Sequence, residues 1–219
     1  MIADAQCAKC NVLRCRSLNK ELKLPDFCPT KNSPDIIEDS VSRHKDDPDT
    51  RAINLAWEEL MNRVNQNLYV WTRLDEVMEY ARIRGVKKLG IATCYALLPE
   101  CRMLTSVLEG NGFEAVSVCC LTGEVRPEDV DVVRKGVFCN PLMQAEVLNR
   151  AGTQLNIMLG LCMGHDILFT KNSKADVTTL VVKDRAMGHN PVAALYMSAG
   201  NYRDRFIKKA PKKDTPDKR

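Results

Sequence analysis

Four cysteines crowd the first 28 residues in the pattern Cys7-x2-Cys10-x4-Cys15-x12-Cys28. The residues around them cannot build a hydrophobic core, so packing does not account for four thiols there. Soft thiolates bind zinc and iron–sulfur centres, and ligation folds short segments that have no core of their own. The spacing therefore predicts a metal site made of Cys7, Cys10, Cys15 and Cys28. Zinc sites favour Cys-x2-4-Cys knuckles. Here three cysteines are bunched and the fourth returns across a 12-residue gap, which can still close a tetrahedron. Bacterial ferredoxin runs read Cys-x2-Cys-x2-Cys-x3-Cys-Pro. Cys28-Pro29 echoes the last element, but the other spacings differ. The reading favours zinc, with an iron–sulfur cluster as the alternative. Asp26 and His44 are further candidate ligands, although a lone histidine in a polar helical stretch is more often solvated.

The chain of 219 residues holds ten cysteines. The residues before Cys7 do not read as a signal peptide, and no apolar run reaches the roughly 18 residues a membrane span needs. The expectation is a cytoplasmic protein with reduced thiols and no membrane partner, in which cysteine clusters point to metal or catalysis. The net charge of +4 is misleading, because residues 203–219 hold eight Lys or Arg against three Asp. The remainder is near neutral, so no basic surface argues for nucleic acid. The tail itself reads as a disordered, solvated end.

Beyond the cysteine segment (1–31), residues 32–86 read as a helical region packed on the core. Asp47-Pro48 supplies an N-cap and a first-turn proline, and Ile53, Trp57, Leu60, Met61 and Val64 follow at helical spacing. Thr72 with Asp75 forms a capping-box pattern. From 87 to 202 the pattern alternates between strands and helices. Short apolar runs at 88–93, 113–118, 155–159 and 177–182 are separated by helical stretches near 98–109 and 140–150. This rhythm predicts an α/β domain: an open, mostly parallel, Rossmann-like sheet of four or five strands with right-handed crossovers.

In such sheets ligands bind outside the carboxyl ends of the strands. Cys94, Cys120 and Cys162 each follow a predicted strand, and Cys139 precedes a helix. Asp184 follows the fourth strand and His189 lies in the next loop. The pattern predicts a thiol-lined pocket at one edge, where Cys94, Cys120 and Cys139 hold a second metal, an iron–sulfur centre or a small-molecule ligand. A free cysteine is also a common core residue, and Cys101, inside a helix, fits that description best.

Within this set, Gly160-Leu161-Cys162-Met163-Gly164-His165-Asp166 has the strand–turn–helix layout of a nucleophile elbow, with Cys162 at its apex. The turn resembles the nucleophile turn of class I glutamine amidotransferases over about seven residues. Those enzymes carry a downstream His-x-Glu pair that this chain lacks, so His189 is left as the candidate base, and Asp184 or His189 would orient or deprotonate Cys162. A cysteine-nucleophile enzyme (hydrolase, acyl transfer or sulfur transfer) is thus the alternative to a metal-binding protein. A redox switch in which Cys119 and Cys120 exchange with neighbours ranks behind both, because adjacent cysteines make a strained disulfide.

Several of these segments together resemble an uncharacterised prokaryotic family: the N-terminal cysteines with Cys28-Pro29, Cys139-Asn140-Pro141 with Gln144-Ala145-Glu146, the Gly160–Asp166 turn, and Lys183-Asp184-Arg185 with Gly188-His189-Asn190-Pro191. Its members are described only as metal-binding proteins with a domain of unknown function. The resemblance implies metal binding through cysteines and names no reaction.

Overall fold

The computed structural model describes residues 5–66, 70–133 and 135–207, so the basic run expected to be disordered lies largely outside the described residues. The chain divides into two compact units, Met1–Val70 and Trp71–Arg219. The boundary cuts the expected 32–86 helical region, leaving its last helix with the second unit.

The first unit begins with a 3-10 turn, Cys7–Lys9, and two single-turn helices, α1 (Arg14–Ser17) and α2 (Pro29–Asn32). Two longer helices follow, α3 (Pro34–Asp46) and α4 (Pro48–Gln66). Asp47 caps α4, its Oδ1 accepting the Thr50 amide at 2.7 Å. Ala56, Leu60 and Val64 form the buried stripe of α4, at the spacing of one helical face.

The second unit opens with α5 (Arg73–Ile83). Thr72 Oγ1 accepts the Asp75 amide at 3.3 Å and Asp75 Oδ2 accepts the Thr72 amide at 2.8 Å, closing the capping box. The order is then β1 (Lys88–Thr93), α6 (Leu98–Gly110), β2 (Glu114–Cys119), α7 (Pro141–Ala151), β3 (Leu155–Leu159), α8 (His165–Asn172), β4 (Asp176–Val181), α9 (Val192–Met197) and α10 (Arg203–Phe206). The four strands are all parallel in the order β2-β1-β3-β4, and each lies within one residue of its expected span. Phe113 falls outside β2 because its amide bonds back to the Leu108 carbonyl at the end of α6.

Central strands β1 and β3 are buried almost throughout, whereas the outer strands are only partly covered. A parallel sheet covered on both faces demands apolar runs in its central strands. On one face Leu89, Ile91, Leu155 and Ile157 pack with Val77, Met78 and Ala81 of α5 and Leu104 and Leu108 of α6. On the other, Ala92, Val118 and Met158 pack with Ala145 and Leu148 of α7 and Phe169 of α8. Burying Leu148 or Phe169 stabilises the unit by about 1.5–3 kcal/mol each.

The second face contains one polar residue that dictates a neighbour. Buried Asn156 accepts Thr153 Oγ1 at 2.8 Å and donates to Ser173 Oγ at 2.8 Å. A Cβ on Gly90 of the adjacent strand would stand 2.0 Å from its Oδ1, so only glycine fits there.

The strand order reverses between β1 and β3. The loops after these two strands therefore flank the crevice where open α/β sheets bind ligands.

Candidate thiol sites

The N-terminal cysteines are exposed (Cys7, Cys15) or partly exposed (Cys10, Cys28). Neither the 3-10 turn nor α1 nor α2 buries a residue. Cys28 caps α2. Desolvation would raise its thiol pKa, but the Lys31 and Thr30 amides, the Thr30 hydroxyl and the Arg14 charge more than reverse this and favour the thiolate. The Arg14 guanidinium also donates to the Leu22 carbonyl at 3.1 Å. The other two candidate ligands have different partners: Asp26 pairs with Lys31 at 2.6 Å and His44 Nδ1 meets Asn54 Nδ2 at 2.8 Å. Among the described residues, no three His, Cys, Asp or Glu side chains converge on a point where an ion could sit.

At the carboxyl edge of the sheet the cysteines are gathered and buried. Cys94, Cys120 and Cys139 are 2%, 3% and 4% exposed and belong to one apolar cluster with Leu161 and Phe169. The pairing of Thr93 with Cys119 continues one step further, because the Cys120 amide donates to the Thr93 carbonyl at 2.9 Å. Cys94 and Cys120 thus sit side by side on adjacent strand ends, with their thiols in hydrogen-bond contact. The Asn140 amide donates to the Cys120 carbonyl at 2.8 Å, which pins Cys139 next to them, and its thiol contacts that of Cys120. These thiols are packed into the end of the core.

Electrostatics divide the cluster. Burial would raise the Cys94 pKa, but the Lys183 ammonium, whose Nζ lies 2.5 Å from Cys94 Sγ, acts with the Ala96 amide and the Cys120 thiol to bring it below the ordinary value. Cys120 goes the other way: burial drives its pKa far up, only partly offset by the Tyr95 amide, which donates to its sulfur at 3.4 Å, and the neighbouring Cys139 and Cys94 raise it further. The cluster therefore pairs a thiol that ionises more readily than usual with one that holds its proton more tightly. Cys101, buried in α6, is likewise raised, chiefly by burial, as fits a cysteine that only fills space.

Gln144 of α7 closes the floor. Fully buried, it donates through Nε2 to the Thr93 carbonyl at 3.0 Å and the Val118 carbonyl at 2.7 Å, tying together the ends of β1 and β2. Its Oε1 has no hydrogen-bond partner among the described residues.

Cys162 is held differently. The turn after β3 bends at Gly160 (φ 66°), where a Cβ would stand 2.1 Å from Leu97 Cδ1. Positive φ falls on Gly160 and Gly164 and not on Cys162, so the cysteine carries none of the backbone strain of a nucleophile elbow. Its carbonyl accepts the His165 and Asp166 amides, and its half-buried sulfur meets Arg185 at 3.5 Å. Asp184 and His189 do not reach it among the described hydrogen bonds. Asp184 Oδ1 accepts the Ala186 and Met187 amides, and His189 Nδ1 accepts the Asp184 amide at 3.1 Å, so both close their own loop.

The structure thus brings Cys94, Cys120 and Cys139 together, leaves Cys162 beside Arg185, and hydrogen-bonds Asp184 and His189 within their own loop. Sequence reasoning missed Lys183 as the partner of Cys94 and Gln144 as the bridge. The available signal for Lys183 was its position: it follows β4 as Cys94 follows β1, at the same edge. Gln144 gave none, since an isolated polar residue in an amphipathic helix reads as surface.

The family described as protein of unknown function (DUF1847) matches residues 28–180, and the chain belongs to it. The matched region contains Cys28 and the four edge cysteines, and it stops short of Lys183. The chain is 38% identical over 195 residues to Uncharacterized protein MJ0455 of Methanocaldococcus jannaschii, a similarity spanning 84% of this chain and 94% of that protein. No solved structure matches. Among the described residues no helix is long and apolar enough to cross a membrane.

Proposed function

We propose that this member of the DUF1847 family is a metal-binding protein whose N-terminal segment closes around a soft ion through Cys7, Cys10, Cys15 and Cys28. Zinc is preferred to an iron–sulfur cluster. The observation that carries the reading is the combination of four thiols in a stretch that buries nothing with a Cys28 sulfur already biased toward thiolate by backbone amides. Four thiolates form a closed zinc shell, which serves folding and leaves no open position for substrate. An expected content of one zinc per chain is tested by anaerobic purification followed by metal and acid-labile sulfide analysis. Loss of the zinc on Cys10→Ser or Cys28→Ser confirms the ligand set. A preparation that binds neither zinc nor iron, with the four thiols freely alkylated, overturns it.

A second reading concerns the sheet edge. An ammonium and a metal ion would compete for the same Cys94 lone pairs, so the Lys183 contact favours thiol chemistry there over a second metal centre. In that reading Cys94 takes the nucleophile role expected of Cys162. A thiolate is the reactive form, and a neighbouring lysine is a common means of producing it. Iron or a second zinc that stays bound after Cys28→Ser and leaves with Cys120→Ser would instead favour a metal at the edge.

A further inference from the structure

From the side-by-side placement of Cys94 and Cys120 we infer a redox-active cysteine pair that reduces small hydroperoxides, with Cys94 the attacking sulfur, Cys120 the resolving one, and Lys183 the group that positions and charges the site. The inference rests on the reading of the sheet edge as a reactive-thiol site and is independent of the N-terminal metal.

Three observations carry it. First, the two residues continue the register of adjacent parallel strands. Neighbouring strands lie about 4.8 Å apart, inside the Cα span of roughly 4.4–6.8 Å that a disulfide bridges. Both side chains belong to one packed cluster at this edge and lie within hydrogen-bonding influence of each other. Second, the pair is asymmetric: an ammonium lies 2.5 Å from one sulfur and a backbone amide donates to the other. Third, both residues are almost fully covered, by an apolar cluster. That burial excludes a protein disulfide as oxidant and selects a reagent of a few atoms.

The chemistry balances without a further component. The Cys94 thiolate attacks one peroxide oxygen, the O–O bond breaks, and Cys94 becomes a sulfenic acid. The leaving hydroxide departs as water with a proton from the Lys183 ammonium, which recovers its proton from solvent. Cys120 sulfur then attacks Cys94 Sγ, forming the S–S bond and expelling hydroxide, which takes the Cys120 thiol proton and leaves as a second water. Two cysteines lose two electrons and the peroxide gains them. Cys139 neighbours Cys120 in the cluster, but among the described residues no cation is hydrogen-bonded to its sulfur, and it follows a loop outside the strand register, so it is not assigned to the pair.

The test uses the full-length, reduced protein as purified and one equivalent of hydrogen peroxide, followed by disulfide mapping by peptide mass spectrometry. The expected product is a Cys94–Cys120 disulfide, two hydrogens lighter than the reduced peptides. In Cys120→Ser the reaction halts at a Cys94 sulfenic acid, which dimedone captures. Lys183→Met slows oxidation about tenfold or more with circular dichroism unchanged, and Lys183→Arg restores part of the rate. If Cys94 forms a sulfenic acid but never bonds to Cys120, or if Cys120 pairs with Cys139, the inference fails while the reactive-thiol reading stands. If Cys94 stays reduced while only the N-terminal cysteines or Cys162 oxidise, both fail.

Discussion

The two cysteine-rich regions of this protein use one residue type in opposite physical settings. In the first unit, the thiols of Cys7 and Cys15 are exposed and no side chain of the surrounding turns is buried. In the second, Cys94, Cys120 and Cys139 are sealed into a close-packed sheet edge. In the proposed reading the first arrangement takes its folding energy from a metal; structural zinc contributes roughly 10–16 kcal/mol in small zinc-folded peptides. In the second, the hydrophobic core has already gathered the sulfurs, and what remains is to tune them by charge.

The largest effect that separates the regions comes from the core. Leu148→Ala empties a fully buried site between α7 and the sheet and is expected to destabilise the α/β unit by about 2–5 kcal/mol, while zinc content stays unchanged. Denaturant unfolding with parallel metal analysis checks this, and a coupled loss of zinc would break the separation of the two regions.

A smaller effect depends on pH. Cys120 ionises far above the ordinary thiol value of 9.0, so its contribution to stability is present below that value. As pH rises past it, the unfolded chain loses a proton that the folded protein keeps, and stability falls. Cys94 has the opposite sign: its lowered pKa contributes stability that is complete above the ordinary value and is lost as pH falls through the folded value. Thermal melts from about pH 8 to about pH 10 should show an alkaline decline that Cys120→Ala reduces. Lys183→Met should move the ionisation of Cys94 to higher pH, read from thiolate ultraviolet absorbance against a Cys94→Ser control. No change in either variant would place the edge thiols on the same footing as the N-terminal ones.

The smallest effect is local. Thr72→Ala removes the side-chain half of the α5 capping box and is expected to cost about 1 kcal/mol. It should leave both zinc content and peroxide reactivity intact, which makes it a control for the other variants.

Much of the second unit was legible before any coordinates. The runs at Lys88–Thr93 and Leu155–Leu159 are apolar because both faces of those strands are covered, and a continuous apolar run of that length between glycine-terminated helices has few other solutions. The capping residues Thr72 and Asp47 act locally, so their chemistry can be read from neighbours in the chain. The candidate site was legible in part. That Cys94, Cys120 and Cys139 share an edge followed from topology alone. That Lys183 reaches Cys94, 89 residues earlier, did not. Nor did the hydrogen bond from the Asp184 amide to His189 Nδ1.

The sequence by itself determined the parallel α/β architecture and the concentration of sulfur at two places, because hydrophobic period and residue spacing are properties of the chain. Which sulfur is eased toward ionisation, which is held back from it and which merely fills space was decided by tertiary structure. A thiol's ionisation depends on its surroundings within a few ångströms in space, and here Lys183 reaches Cys94 from another strand end while burial in the packed cluster opposes ionisation of Cys120.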